Sequence, residues 1–416
     1  MKKKAVLLLT LALSAASILP VSASDGEQKT LTMWTIATEG DANHEAFGKA
    51  IEEYEAEHPD IHIEMEAFEN ESYKTKIKAS VAANELPDIY FTWGGGFSSA
   101  FVEAGKAMEL DSYYETYKDE LPESTLKYAT YDDKLYGVPY VVSISGIFYN
   151  KPMFEEYNLE EPKTWDELIN VCQTFLDNGI TPFGVSVKEA WVMAMFNDAL
   201  TLKCVGDEKI NAAFTRSGQS YLDEEFLDAA KKLEQLITMG AFSESAAGIS
   251  NDEAVALFTN GTVPMFVTGA FLEGSLLQAE NPDDFGFMLF PVCSDNAVLT
   301  DSMGGSADML MVNPGTENPD EAANAAFEIA KLVSKYGYMS GAGIAAWKVD
   351  YEVENQSSIS KTMSDCINES TSLTVWSGSL MEAEDYTEYQ ALLQQFFVGD
   401  LTAEDFVEAM DAQLNQ

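Results

Sequence analysis

Apolar and polar positions along the first hundred residues follow two rhythms in turn. Leu31-Thr32-Met33-Trp34-Thr35-Ile36 alternates with the period of a strand. Phe47, Ala50, Ile51 and Tyr54 then share one face of a helix that must stop at Pro59. Ile61, Ile63 and Met65 alternate again, Ile77 and Val81 lie on a second helix that Ser72 is placed to cap, and Pro87 to Phe91 forms a third strand. Strands alternating with helices predict an α/β lobe built on a doubly wound sheet, whose ligands gather beyond the carboxyl ends of the strands. The loops to search are therefore Ala37 to Asp41, Ala67 to Tyr73 and Thr92 to Phe97.

The rhythm breaks at Leu135 to Lys151, LYGVPYVVSISGIFYNK, where β-branched and aromatic residues dominate and no helical period fits. The expectation is a long extended segment with a break at Gly146, followed by a helix and not by a hairpin turn. Such a segment can pass from one lobe to another and set Ser143 and Ser145 in the gap. Beyond it, Thr164 and Glu167 have capping-box spacing, with Trp165, Leu168, Ile169 and Cys172 on one face of the helix that follows. Further helices are expected near Trp191 to Leu202, Asp223 to Met239 and Asn251 to Phe258, with strands at Val263 to Val267 and Phe285 to Pro291. Asn318-Pro319 opens a helix reaching about Lys335. The tail closes with helices near Asp385 to Phe397 and Ala403 to Leu414, the latter capped by Thr402 with Asp405.

A chain of 416 residues is too long for one hydrophobic core, so two domains are expected. Its 24 basic against 69 acidic residues, a net charge of −45, repel nucleic acid and anionic lipid and disfavour anionic ligands. Lys2 to Lys4, the apolar run Ala5 to Ile18 and Val21-Ser22-Ala23 have the order of a secretory leader, giving a mature start at about Ser24. Cys172, Cys204, Cys293 and Cys366 are widely spaced and contain no CxxC; export permits disulfides, and buried free thiols satisfy the sequence equally. His58 and His62 are separated by Pro59, which removes the helical spacing a metal would need; with His44 they read as surface residues, and no metal or cofactor is expected. Gly94-Gly95-Gly96 lacks the Gly-Lys-Ser/Thr of a phosphate loop, and no nucleophile elbow occurs.

The Tyr136-Gly137-Val138-Pro139 start of the crossing segment, its Tyr149-Asn150-Lys151 end and the Pro162-Lys163-Thr164-Trp165-Asp166-Glu167-Leu168 helix start resemble the carbohydrate-binding branch, family 1, of the extracellular solute-binding proteins of ABC importers. Asn260 to Met265 and Thr268-Gly269-Ala270-Phe271 resemble a further motif of that family, with Phe271 where Trp is usual. The resemblance implies a two-lobed α/β fold of periplasmic-binding-protein type (type II), with the ligand cleft between lobes. The segments expected are 1–23 (leader), 24–141 and 302–345 (N-terminal lobe), and 142–301 and 346–416 (C-terminal lobe). It implies a carbohydrate ligand, an ABC permease as partner, a monomer and no reaction. Because relatives often carry a lipid-modified cysteine and none precedes Cys172, a soluble exported protein is expected.

A neutral sugar offers apolar ring faces and a belt of hydroxyls, which aromatic rings and short polar side chains satisfy. Trp93, ahead of three glycines, resembles the family's sugar-stacking tryptophan by position; Phe271 and Trp376 resemble two others, with Trp191 and Trp347 as weaker candidates. Glu39 and Asp41 occupy the loop where relatives place a hydroxyl-binding acid. Ser143 stands near a crossing-strand position held by Glu in maltose-binding relatives, and Asp301 and Ser302 stand at the return crossing. Two other readings stay open. A polyamine would be favoured if acids dominate the cleft, and an exported carbohydrate-active enzyme would need a catalytic carboxylate pair that nothing in the sequence singles out.

Overall fold

The computed structural model describes residues 28–39, 41, 43–353 and 356–415; the expected leader and mature start lie outside them. Two sheets carry the chain. The first has the order Ile61–Ala67, Lys29–Thr35, Ile89–Trp93, Asp308–Val312, Gly137–Pro139. Its first three strands are parallel, and Asp308–Val312 runs against its neighbours. Helices His44–Glu57 and Pro319–Ser340 pack together over this sheet. Phe47, Tyr54, Ile77, Phe91, Leu310 and Phe327 fill the core beneath them.

The second sheet is assembled around Val141–Asn150, ten residues of unbroken strand. Ile344–Ala345, Asp301–Gly305, Met265–Gly269 and Phe285–Met288 all pair with it, each along a different stretch. The run expected to break at Gly146 therefore continues through it. A β-carbon there would lie 2.5 Å from the Met288 carbonyl and 2.6 Å from the Phe287 ring, so the glycine admits a neighbouring strand and ring instead of ending the strand. Phe148, Phe175, Phe196, Phe266, Tyr389 and Phe406 belong to the core of this second lobe.

The lobes are joined where the chain changes sheets. Tyr140 separates Gly137–Pro139 from Val141–Asn150, and Ser306-Ala307 separates Asp301–Gly305 from Asp308–Val312. The two passages are tied together: the Ser306 hydroxyl donates to the Val141 carbonyl at 2.8 Å, and the Tyr140 amide donates to the Asp308 carbonyl at 3.3 Å. A third contact joins the lobes at the triple glycine. β-Carbons on Gly95 and Gly96 would fall 2.2 Å from the Ser379 carbonyl and 2.4 Å from that of Met381, so here backbone of one lobe lies directly on backbone of the other.

Local signals place most helices. The capping boxes at Thr164 with Glu167 and at Thr402 with Asp405 are formed, and Gly341 ends Pro319–Ser340 in the left-handed conformation, beyond the expected Lys335. Ser72 does not cap its helix. Glu69 does, accepting from the amides of Glu71 and Ser72, each at 3.1 Å. The histidines have separate partners: His44 with the Ala37 carbonyl, His58 with Glu328 and His62 with Glu55. Among the described residues the four cysteines are free thiols, Cys172 and Cys204 buried.

Gly146→Ala should lower stability by about 1–3 kcal/mol through overpacking at the centre of the crossing strand. Equilibrium urea denaturation measures it, and a midpoint equal to that of the parent chain would contradict this packing.

Candidate functional site

The lobes face each other across a cleft of about 580 Å³, open to solvent at one side and walled by both. Trp93 reaches it from the end of Ile89–Trp93 in the first lobe. Its indole is edge-packed by Phe91 and Phe97, with ring centroids 4.8 and 5.0 Å away, and the Lys74 ammonium sits 5.4 Å from its centroid. Lys74 itself pairs with Glu71 at 2.7 Å.

Across the gap the second lobe presents Trp191, Phe271 and Trp376, with Tyr386 also in the wall. Trp191, Phe271 and Trp376 are each held by a local device. Ser143, buried on the crossing strand, accepts the Ala270 amide at 3.1 Å and so fixes the turn that carries Phe271. Glu189 accepts the Trp191 indole N–H at 3.3 Å and the Asn251 amide at 2.9 Å, joining the ring to the start of the helix Asn251–Thr259. Trp191 and Phe271 lie 6.3 Å apart. Trp376 precedes the short helix Ser377–Leu380, whose first amide and hydroxyl donate to the buried Asp198 at 2.8 and 2.7 Å. Asp198 also takes the Tyr389 hydroxyl at 2.8 Å, and burial raises its pKa to about 6 despite those donors.

The charged residues of the lining are mostly acids, set among a larger number of neutral polar side chains. Asp41 accepts the Asn43 amide at 2.8 Å, and burial raises its pKa. Asp308 opens the strand opposite Trp93. Burial, reinforced by the Asp41 charge, pushes its pKa up to about 7. Glu69, Glu189 and Asp252 complete the acidic lining, against the one lysine, Lys74.

Trp93, Phe271, Trp376, Trp191, Asp41 and Ser143 are thus brought together, and four other candidates are not. Glu39 points outward from its loop and is exposed. Trp347 is buried in the first core, edge-on to Tyr117 and Phe327, with its indole N–H donating to the Pro139 carbonyl at 2.9 Å. Asp301 and Ser302 sit inside the second sheet because the return passage comes later, at Ser306-Ala307. The Asp301 carboxylate accepts from the Val298 amide and the Ser372 hydroxyl, each at 3.0 Å. The buried Lys203 ammonium closes the same turn by donating to the carbonyls of Leu299, at 2.8 Å, and Asp301. Burial lowers the pKa of Lys203 to about 8. Asp308 and Tyr140 escaped the sequence reading, although an acid directly ahead of the apolar run Met309 to Val312 was a usable signal.

With this geometry in view, the relatives are informative. The profile of the bacterial extracellular solute-binding protein family matches residues 40–335, and the chain belongs to that family. It is 25% identical to the multiple sugar-binding protein of Streptococcus mutans over 80% of this chain and 79% of that protein. A solved structure described under xylan utilization by the thermophilic bacterium Caldanaerobius polysaccharolyticus superposes with a TM-score of 0.88 at 31% identity, covering 92% of this chain and 99% of that one. A chitin oligosaccharide binding protein has the same fold, with a TM-score of 0.86 at 21% identity over 94% and 99% of the two chains. The family is one of extracellular substrate-binding proteins, and among the described residues no helix is long and apolar enough to cross a membrane.

Because the folded pKa of Asp308 lies above its unfolded value, the ligand-free fold holds an extra proton between about pH 4 and 7. The associated stability is complete below about pH 4 and is lost as pH rises through about 7. Asp308→Asn should therefore raise thermal stability at pH 8 by about 1–3 kcal/mol and change it less at pH 5. Scanning calorimetry at the two pH values reads the difference, and an equal effect at both would refute the assignment.

Proposed function

We propose that this chain is the exported binding component of an ABC importer, which takes a sugar or oligosaccharide between its lobes and hands it to a membrane permease. The observation that carries this reading is the opposition of Trp93 on one lobe to Trp191, Phe271 and Trp376 on the other, with carboxyl groups between them. Aromatic faces bury the C–H surfaces of a sugar ring while carboxylates and small polar side chains accept its hydroxyl hydrogens. The names of the relatives support the same ligand class.

Closing two lobes on a ligand turns a half-site on each into one desolvated site, and a permease that recognises the closed form then distinguishes loaded from empty protein. The passages at Tyr140 and Ser306-Ala307 are where the backbone turns during that closure. The protein acts as a monomer, retained at the cell surface through its permease. It binds without transforming, as membership of a family of extracellular solute-binding proteins supports.

A polyamine, whose ammonium groups would sit among Asp41, Asp308 and Glu189, is the second candidate, although neutral hydrogen-bonding side chains outnumber the acids of the lining.

Thermal unfolding of the mature chain with xylotriose, chitotriose, raffinose, galactose, spermidine and putrescine separates the two. A ligand present at about one hundred times its Kd adds about 2.7 kcal/mol to the stability of the native state. A shift with one glycan class, reduced at least about tenfold in affinity by Trp93→Ala or Trp376→Ala, is the expected result. A shift with polyamines alone would replace the glycan by a cation, and a glycan altered after long incubation would move the protein to the enzymes.

A further inference from the structure

Pro59 denies His58 and His62 the helical spacing of a metal pair, and the fold sends His62 to Glu55 at 2.8 Å. His58 finds other company. It ends the helix His44–Glu57, which packs against Pro319–Ser340. Its Nε2 lies 2.7 Å from Glu328 Oε2 on that second helix, 270 residues further along the chain, and a carboxylate oxygen of Glu57 completes the group. The three atoms all lie within 4.8 Å of one another. None of these residues lines the cleft.

Two neighbours hold the group in place. The Tyr54 ring lies against the His58 imidazole, with centroids 4.5 Å apart and planes 30° from parallel. The Tyr117 hydroxyl donates to Glu328 Oε1 at 3.4 Å, which leaves Oε2 turned to His58. Outer partners of this kind orient the ligands of a metal ion.

An ion pair between His58 and Glu328 does not account for Glu57. That residue is the last of a 14-residue helix, where the carbonyl end of the dipole repels a carboxylate, and its last turn holds no basic residue. Among the described residues no hydrogen bond or ion pair reaches the Glu57 side chain, and no lysine or arginine pairs with Glu328. Elsewhere along the same seam the need is met, with Lys335 3.5 Å from Glu53. Two carboxylates at a helix carbonyl end, on a chain of net charge −45, draw a cation. The imidazole nitrogen among them selects a transition metal over magnesium or calcium.

We propose that Glu57, His58 and Glu328 form a divalent transition-metal site, fitted to zinc, that clamps two helices of the first lobe together away from the cleft. One nitrogen and two carboxylate oxygens supply three corners of a tetrahedron, each about 2.0–2.2 Å from the ion, and water takes the fourth. The exposed Glu57 side chain closes the remaining distance by rotation. Zinc takes the Nε2 lone pair, so a hydrogen on that nitrogen moves to Nδ1 or leaves to solvent. The assignment is independent of what the cleft binds.

Zinc chloride titrated into the untagged, metal-stripped mature chain should bind saturably at about one equivalent and raise the thermal unfolding midpoint. X-ray absorption of the zinc-loaded protein should report nitrogen and oxygen donors, one of them an imidazole, and no sulfur. Glu57→Gln changes an exposed side chain without a partner, so it should fold as the parent does and weaken zinc at least about tenfold. His58→Ala should weaken it more than about a hundredfold, and His62→Ala should leave it unchanged. Sulfur around the zinc would assign the ion to the free thiols and overturn the proposal. Binding that survives both Glu57→Gln and His58→Ala, or that calcium displaces at equal concentration, would mean ions gathered by an acidic surface and would equally overturn it. Absence of saturable binding to the parent chain refutes it outright.

Discussion

The pairing of the strand Val141–Asn150 with four partners is the constraint on which the molecule depends. A strand ordinarily serves two neighbours, one on each edge. This one is long enough to serve different neighbours along its length, and its first residue follows directly on the passage from the other lobe. Residues far apart in the sequence are thereby held relative to one origin. Ser143, within the strand, sets the turn bearing Phe271, and Val141, at its start, holds Ser306 of the return passage. Cleft lining and the passage between lobes are thus both anchored on this strand.

Around this origin the cleft is built asymmetrically. The first lobe contributes Trp93 and the acids Asp41, Asp308 and Glu69; the second contributes Trp191, Phe271 and Trp376, each secured by a buried or half-buried polar group, with the acids Glu189 and Asp252. Asp198 illustrates the cost of that arrangement. A carboxyl group sealed in the second core, with its pKa raised by burial, is retained because three donors converge on it and position the helix start beside Trp376.

The chain announces its local structure well where the signal is local. Alternation at Leu31 to Ile36 and at Ile61 to Met65, and the capping boxes at Thr164 and Thr402, depend on residues a few positions apart, and the fold agrees with them. Family motifs marked the crossing segment and Phe271 for the same reason, since each is a short string, while Trp93 and Trp376 were read by their position along the chain. What failed depended on distant neighbours. Gly146 looked like a break because a glycine in a strand has two meanings, and only the approach of Phe287 and Met288 decides between them. Trp347 looked available because nothing near it in sequence reveals Tyr117, Phe327 and the Pro139 carbonyl. Asp308 was overlooked because it lines the cleft only once the return passage has set its strand against Ile89–Trp93.

The triple glycine is no phosphate loop but a contact between lobes. At Gly95 and Gly96 the lobes touch main chain to main chain, remote in character from the rings and acids that recognise the ligand. Spacing between the lobes is therefore set by main-chain contact at the edge of the cleft, two residues along the chain from Trp93. A methyl group at either glycine would run into the Ser379 or Met381 carbonyl, so the two lobes keep this spacing only while both positions lack a side chain.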